Sequence, residues 1–464
     1  MCIRDRSKTE PEKRIKDFQE IYSQFDKNDS VEQSSRCSQC GIPYCQIHCP
    51  LNNNIPDWLR YIAEGRLEEA YQVSASTNAF PEVCGRVCPQ DRLCEGNCVV
   101  EQAGFGAITI GNLEKYLTEI AWEKGWVKNL SSQNQFKQKV AIIGSGPAGM
   151  AASAYLTQNG YQVDVFEKND RAGGLMIYGI PNFKLDKKIV ERRTEWLLES
   201  GVKFNLNMEV GKNISFQDLE KDYDAILIAT GVYKARKLDI DTSSVDNSIP
   251  ALDFLIESNR TGLGDSPSNN KFLTAKDKNV VVIGGGDTAM DCVRTAIRQQ
   301  AKEVTCLYRR NKENMPGSAR EVLNAEQEGI KFNWLSVPSK IISDNSTATS
   351  MTYKVAALGE VDESGRRKPV DTGVEKQIKS DLIIQALGFE PEDLNHNFKT
   401  NIELTSWKTV KVDFKKFQTS NPKIFAAGDI VRGASLVVWA IHDGREVAKS
   451  IHNFLQSSKI KKAS

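Results

Sequence analysis

Apolar residues along the chain follow two rhythms. In the first part they recur at helical spacing: Ile55, Trp58, Leu59 and Ile62 share one face, with Pro56 where a first-turn proline is tolerated, and Leu113, Leu117 and Ile120 share another. A polar stretch rich in Ser, Gln and Asn over 130–138 reads as a linker. Beyond it come short apolar runs over 140–143, 162–166, 280–283, 304–308 and 424–427, which predict buried strands. Helices are expected over 150–158, from Met290, and in the apolar stretch 436–441. The result is an N-terminal helical region followed by α/β units.

Two strand–helix junctions carry glycines. After the first run, Gly144-Ser145-Gly146-Pro147-Ala148-Gly149 gives G-x-G-x-x-G, a turn that lets backbone approach a pyrophosphate whose charge rests at the next helix N-terminus. The following strand ends in Glu167, 23 residues after Gly144, where a carboxylate can accept bonds from ribose hydroxyls. The grammar returns as Gly284-Gly285-Gly286-Asp287-Thr288-Ala289, but its second strand runs into Arg309 and Arg310. A carboxylate would repel a 2′-phosphate, whereas guanidinium can grip it, so this unit points to NADP rather than NAD. The run ending in Gly428-Asp429, with an apolar helix behind it, suits the pyrimidine edge of a flavin once two nucleotide sites are present.

Composition narrows the class. The 464 residues suggest about three domains, and 61 basic against 60 acidic residues give a net charge of +1, which argues against nucleic-acid and membrane-surface binding. No apolar run approaches the ~20 residues of a membrane span, and residues 1–6 lack a signal-peptide core, so a cytoplasmic protein is expected. Eight of the eleven cysteines form two quartets, Cys37-x2-Cys40-x4-Cys45-x3-Cys49-Pro and Cys84-x3-Cys88-Pro-x4-Cys94-x3-Cys98. Zinc sites favour paired C-x2-C knuckles and a reducing cytosol disfavours disulfides, whereas a Cys-Pro step in each quartet resembles ferredoxin cluster motifs. Two 4Fe–4S clusters are the preferred reading, with the quartets either closed on themselves or interleaved. His48 is read as a neighbour, not a ligand, and Cys292 and Cys306 as buried small hydrophobes.

Together these residues resemble the flavoproteins in which an NAD(P) domain is inserted into an FAD domain. More narrowly they resemble the small-subunit family of NADPH-dependent glutamate synthases and the N-terminal half of dihydropyrimidine dehydrogenase. The most specific stretches are 81–96, 284–294 and 314–318, with 173–176, 178–181 and 183–185. The resemblance implies an iron–sulfur domain over 1–136, an FAD domain over 137–249 and 386–464, and an NADPH domain over 250–385. It puts FAD on Gly144, Gly146, Pro147, Ala148, Gly149, Glu167, Gly174, Leu175, Gly428 and Asp429. NADPH is placed on Gly284, Gly286, Asp287, Thr288, Ala289, Arg309 and Arg310. The dihydropyrimidine dehydrogenase pattern implies interleaved clusters: Cys37, Cys40, Cys45 and Cys98 on one, and Cys49, Cys88 and Cys94 on the other. That relative has an amide side chain where this sequence has Glu114; Cys84 is preferred here as the last ligand because thiolate is the common one, with Glu114 the alternative.

The family function implied is hydride transfer from NADPH to FAD and electron transfer through the clusters. The acceptor would be a large subunit, bearing FMN and a glutaminase, that makes glutamate from glutamine and 2-oxoglutarate. The same half-reaction could instead serve ferredoxin or another dehydrogenase subunit, and a metal-stapled binding protein with vestigial nucleotide sites is the non-enzymatic rival. No side chain is nominated as catalytic, because the cofactors carry the chemistry. Cys2 could be imagined as an amidotransferase nucleophile, but nothing around it supports that.

Overall fold

A computed structural model describes residues 7–242, 244–361 and 367–463, with side chains through 457; Cys2 lies outside them. The helices Ile55–Ala63, Leu67–Ala75, Pro81–Val87 and Ile110–Glu123 form the N-terminal domain. Trp58, Leu59, Ile62, Leu113 and Leu117 are its buried centre, so the helical spacing in the sequence finds its partners here. Pro56 sits in the first turn of its helix, where no intrahelical N–H is lost.

Two five-stranded parallel sheets follow. The first runs in the order Ile424–Ala426, Ala225–Ile228, Lys139–Ile143, Gln162–Phe166, Lys203–Asn205. The second repeats that plan with Ser248–Pro250, Leu382–Gln385, Asn279–Ile283, Glu303–Leu307 and Lys331–Asn333. Central strands are buried on both faces, which explains why they read as continuous apolar runs. The second sheet starts at Ser248, just ahead of the expected division between 249 and 250, because Ser248–Pro250 pairs with Leu382–Gln385. The chain crosses between the sheets through a two-stranded antiparallel ribbon, Phe389–Glu390 against Lys234–Ala235.

Two features exceeded the sequence reading. A three-stranded antiparallel sheet, Ser336–Asp344, Thr347–Val361 and Arg367–Lys379, stands on the second fold. Its last strand is almost wholly exposed and therefore shows no apolar alternation. The short apolar stretch at 436–441 opens a helix of 27 residues, Val437–Ala463, packed on the Pro147–Gln158 helix. Gly444 permits that approach: a Cβ there would fall 2.4 Å from the Ala148 carbonyl oxygen.

Buried ion pairs join these units. Arg193, on the Lys187–Glu199 helix of the first fold, donates to Glu82 on the Pro81–Val87 helix, and both side chains are shut from water. Residues 8–22 form a strap across the molecule. Phe18 lies against Phe183, Glu20 pairs with Arg86 and Lys115, and Arg14 reaches Glu328 at 2.8 Å. Glu328 also accepts from Arg294 and Arg298, at 2.8 and 2.7 Å.

Burial would raise the Glu328 carboxyl, yet Arg294 and Arg298 hold it down at about 2, so its stabilising effect is complete above the ordinary 4.5 and fades as pH falls toward about 2. Glu328→Gln leaves buried guanidiniums without their carboxylate and should destabilise the second fold by about 3–5 kcal/mol at neutral pH. Thermal unfolding should show its transition several degrees lower. The gap to wild type should close as pH is taken below about 4.

Candidate electron-transfer site

One long cavity runs between the three units. Gly144, Gly146, Pro147, Ala148, Glu167, Leu175 and Asp429 line it from the first nucleotide fold. Asp287, Thr288, Asp291 and Ser318 line it from the second, and Arg86, Val87, Cys88 and Pro89 from the helical domain.

The first glycine loop is built by close packing. Gly144 has φ +103°, and a Cβ on Gly149 would lie 2.1 Å from the Gly144 carbonyl oxygen, so the loop folds tightly onto the helix it starts. At Gly146 a Cβ would meet nothing within 4 Å. Open space at that helix N-cap is what a pyrophosphate requires. Gly174 packs on Gly146 and Gly428 on Ala148, each next in the chain to a lining residue, Leu175 and Asp429. The Glu167 carboxylate is buried and accepts four bonds, from Ser145 N and Oγ at 3.0 and 2.6 Å and from Asn169 N and Nδ2 at 2.9 and 2.8 Å. A ribose must displace one of these donors to reach it. Burial pushes the Asp429 carboxyl up to about 6, against a backbone hydrogen bond from Ser435.

The second loop repeats this plan. Gly286 caps the Asp287–Arg298 helix and again faces open space, while Ala289 is buried beneath the loop. The arginine pair divides. Arg309 is exposed at the strand end. Arg310 is buried and its Nε donates to the Arg367 carbonyl at 2.8 Å, which ties it to the antiparallel sheet.

The cysteines sort themselves into two sets. Cys37, Cys40, Cys45 and Cys98 surround one small cavity; Cys49, Cys84, Cys88 and Cys94 surround another, together with Glu114. The interleaving comes from Cys49 and Cys98 changing places. Among the described residues no three Cys, His, Asp or Glu side chains converge as for a single metal ion. Thiols spaced around a cavity suit a polynuclear cluster, which is wider than one ion. Burial, then the neighbouring Cys37 and Cys98, push the Cys45 thiol up to about 12. Burial pushes Cys49 up to about 11, with Glu114 and Cys84 adding to it. Glu114 itself is raised to about 8 by burial, opposed by one bond from Asn78 at 3.1 Å. Such pockets accept four thiolates only around a cationic centre, and the iron–sulfur cluster fits that need.

Cys88 lines both the long cavity and the second cysteine cavity. Val437 and Val438, consecutive in the long C-terminal helix, line one each. His48 is exposed and bonded to the Tyr44 carbonyl, and Cys292 and Cys306 are fully buried in the second fold.

Sequence reasoning missed Lys184. It lines the long cavity and pairs with Asp291 at 2.8 Å and Glu321 at 3.7 Å, bridging the two nucleotide folds. Burial pushes Asp291 up to about 6 although Lys184 pulls it down. Its only signal was its place in the Phe183-Lys184-Leu185 stretch, because a lone lysine carries no periodicity.

Comparison with known proteins agrees with this geometry. Residues 14–126 match the family model for dihydropyrimidine dehydrogenase domain II, 4Fe-4S cluster, and residues 138–444 match that for pyridine nucleotide-disulphide oxidoreductase. The chain is 52% identical to the glutamate synthase [NADPH] small chain of Azospirillum brasilense, over 96% of this chain and 93% of that one. Identity to the Escherichia coli small chain is 45%, over 95% and 94%. In fold it is similar to Mycobacterium tuberculosis FprA solved with NADPH, with a TM-score of 0.59 at 19% identity over 70% of this chain and 86% of that one. Lactococcus lactis thioredoxin reductase gives 0.52 at 24% identity over 69% and 100%. An iron–sulfur domain joined to a pyridine-nucleotide oxidoreductase fold, with such identity along nearly its whole length, makes this chain a member of the glutamate synthase small-chain family.

Proposed function

We propose that the chain is the electron-input subunit of a glutamate synthase. Its bound cofactors would supply hydride transfer from NADPH to FAD and one-electron transfer through two 4Fe–4S clusters to a large subunit, bearing FMN and a glutaminase, that makes glutamate from glutamine and 2-oxoglutarate. The observation that carries this reading is Cys88, which stands in the wall of both the nucleotide cavity and a cysteine cavity. That shared wall supports a direct handover from one cofactor to the next.

The chain's own groups bind and orient. In this reading the amides at Gly144 and Gly146 and the first turn after them hold the FAD pyrophosphate, Glu167 its ribose, and Asp429 with the head of the long helix its far end. Residues 284–289 hold the NADPH pyrophosphate and Arg309 its 2′-phosphate. Arg310 is assigned a structural role, since its guanidinium holds the Arg367 carbonyl. Cys84 is the proposed eighth cluster ligand, because thiolate is the common one. The two sheets and the ribbon between them support a separate FAD domain and NADPH domain, the latter opening at Ser248. No helix among the described residues is long and apolar enough to cross a membrane, which fits a cytoplasmic place for the pair of subunits.

Anaerobic titration with NADPH should bleach a bound flavin; an unbleached flavin rules out the redox reading and leaves a binding protein. Supplied with the large subunit, glutamine, 2-oxoglutarate and NADPH, the protein should yield glutamate. No glutamate, with flavin reduction intact, moves the acceptor to ferredoxin or another dehydrogenase subunit. Arg309→Glu should raise KM for NADPH by about 10- to 100-fold while leaving that for NADH within about threefold, the size of a lost charge-assisted contact. Equal changes would refute the 2′-phosphate assignment.

For the cluster, Cys84→Ala should remove one of two reduced-cluster EPR signals and Glu114→Ala should keep both. The opposite pattern assigns the ligand to Glu114.

A further inference from the structure

The second nucleotide site has a wall that belongs to another domain. The loop between Cys88 and Cys94 crosses from the iron–sulfur domain to the mouth of the Asp287–Arg298 helix. Gln90 Oε1 accepts from Arg320 at 2.8 Å, and Asp91 accepts from Ser318 Oγ at 3.0 Å and from Ala319 N at 3.1 Å. Arg92 donates to the Pro316 carbonyl at 2.6 Å and pairs with Asp287 Oδ2 at 3.2 Å. The other Asp287 oxygen accepts from Ser318 N at 2.9 Å. One carboxylate therefore joins the nucleotide helix, the 316–320 segment and the iron–sulfur loop.

Asp287 poses an electrostatic problem. It is the first residue of the helix, directly after Gly286, where helix dipole and free amides attract an anion. A carboxylate in that turn stabilises the helix but repels a pyrophosphate docking at the same end. Lys184 attracts this carboxylate from the cavity, and the group that pairs with it directly, Arg92, lies 195 residues away in sequence and comes from the loop that ends at Cys94.

We propose that Arg92 is a positioning residue of the NADPH site: by neutralising Asp287 and holding the 316–320 segment, it lets the Asp287–Arg298 helix accept the dinucleotide. This rests on the reading of residues 284–289 as the NADPH site. The iron–sulfur domain then does two jobs, carrying electrons away and completing the site through which they arrive.

The test uses full-length protein loaded with flavin and clusters, with NADP⁺ as the binding probe. Arg92→Ala should raise Kd for NADP⁺ and KM for NADPH by about tenfold, with flavin and iron content at wild type. Arg92→Lys should recover part of the loss. Pairing Arg92→Ala with Asp287→Asn should bring Kd back to within about twofold of Asp287→Asn alone. An Arg92→Ala Kd within about twofold of wild type overturns the proposal, and so does a double variant as weak as Arg92→Ala. Should Arg92→Ala purify with less iron, Arg92→Met, which keeps the stem and removes the charge, decides at wild-type iron content: it must raise Kd for NADP⁺ about tenfold, and a Kd within about twofold of wild type overturns the idea. An altered NADPH preference in Arg309→Glu with no effect of Arg92→Ala sinks this inference alone; no effect of either sinks the site reading with it.

Discussion

Arg193 reaches from the first nucleotide fold into the iron–sulfur domain and meets Glu82, both side chains closed off from water. Phe80, Trp122 and Trp196 stand around the guanidinium. Either charge alone in that place would cost several kcal/mol, so the pair forms only when the two domains sit in one relation. Glu82 belongs to the Pro81–Val87 helix, which carries Cys84 and ends at Cys88. The ion pair thus fixes the cysteine wall against the flavin fold. Placement of a redox centre needs such rigidity, since a slack interface would vary the distance an electron must cross.

The second nucleotide fold is held differently. Its seams with the strap, the first nucleotide fold and the iron–sulfur loop are polar: Arg14 with Glu328, Lys184 with Asp291, Asp91 with Ser318. Polar seams are directional, so they define orientation as well as contact. Phe183 illustrates the mixed case, lying under the guanidiniums of both Arg294 and Arg298 at 4.6 and 4.0 Å.

The parts of this architecture that repeat a local pattern were legible in the sequence. The two glycine loops, their strands and the helical face of Trp58 and Leu59 all announce themselves within about a dozen residues. The cysteine quartets were visible, but residue spacing could not sort them; the exchange of Cys49 and Cys98 is a tertiary fact that only resemblance anticipated. Arg309 and Arg310 looked equivalent, and only the fold separates the exposed one from the one bonded to Arg367. Lys184, Arg92 and the strap went unseen because their partners lie far along the chain and single charges leave no periodic trace. The antiparallel sheet escaped for a related reason: a strand such as Arg367–Lys379, wet along nearly its whole length, has no buried face to write an alternation.

The ribbon of Lys234–Ala235 against Phe389–Glu390 brings the two crossings of the chain side by side. Everything between them leaves and returns through one narrow doorway, so the intervening unit has adjacent ends and behaves as a cassette. A cassette of that kind can be exchanged between proteins without rerouting the host sheet, because the host sees only two neighbouring strand ends. Coenzyme preference is in that sense a portable property of this scaffold. The iron–sulfur loop that clasps the cassette is the part that would have to be re-matched whenever a new one is fitted.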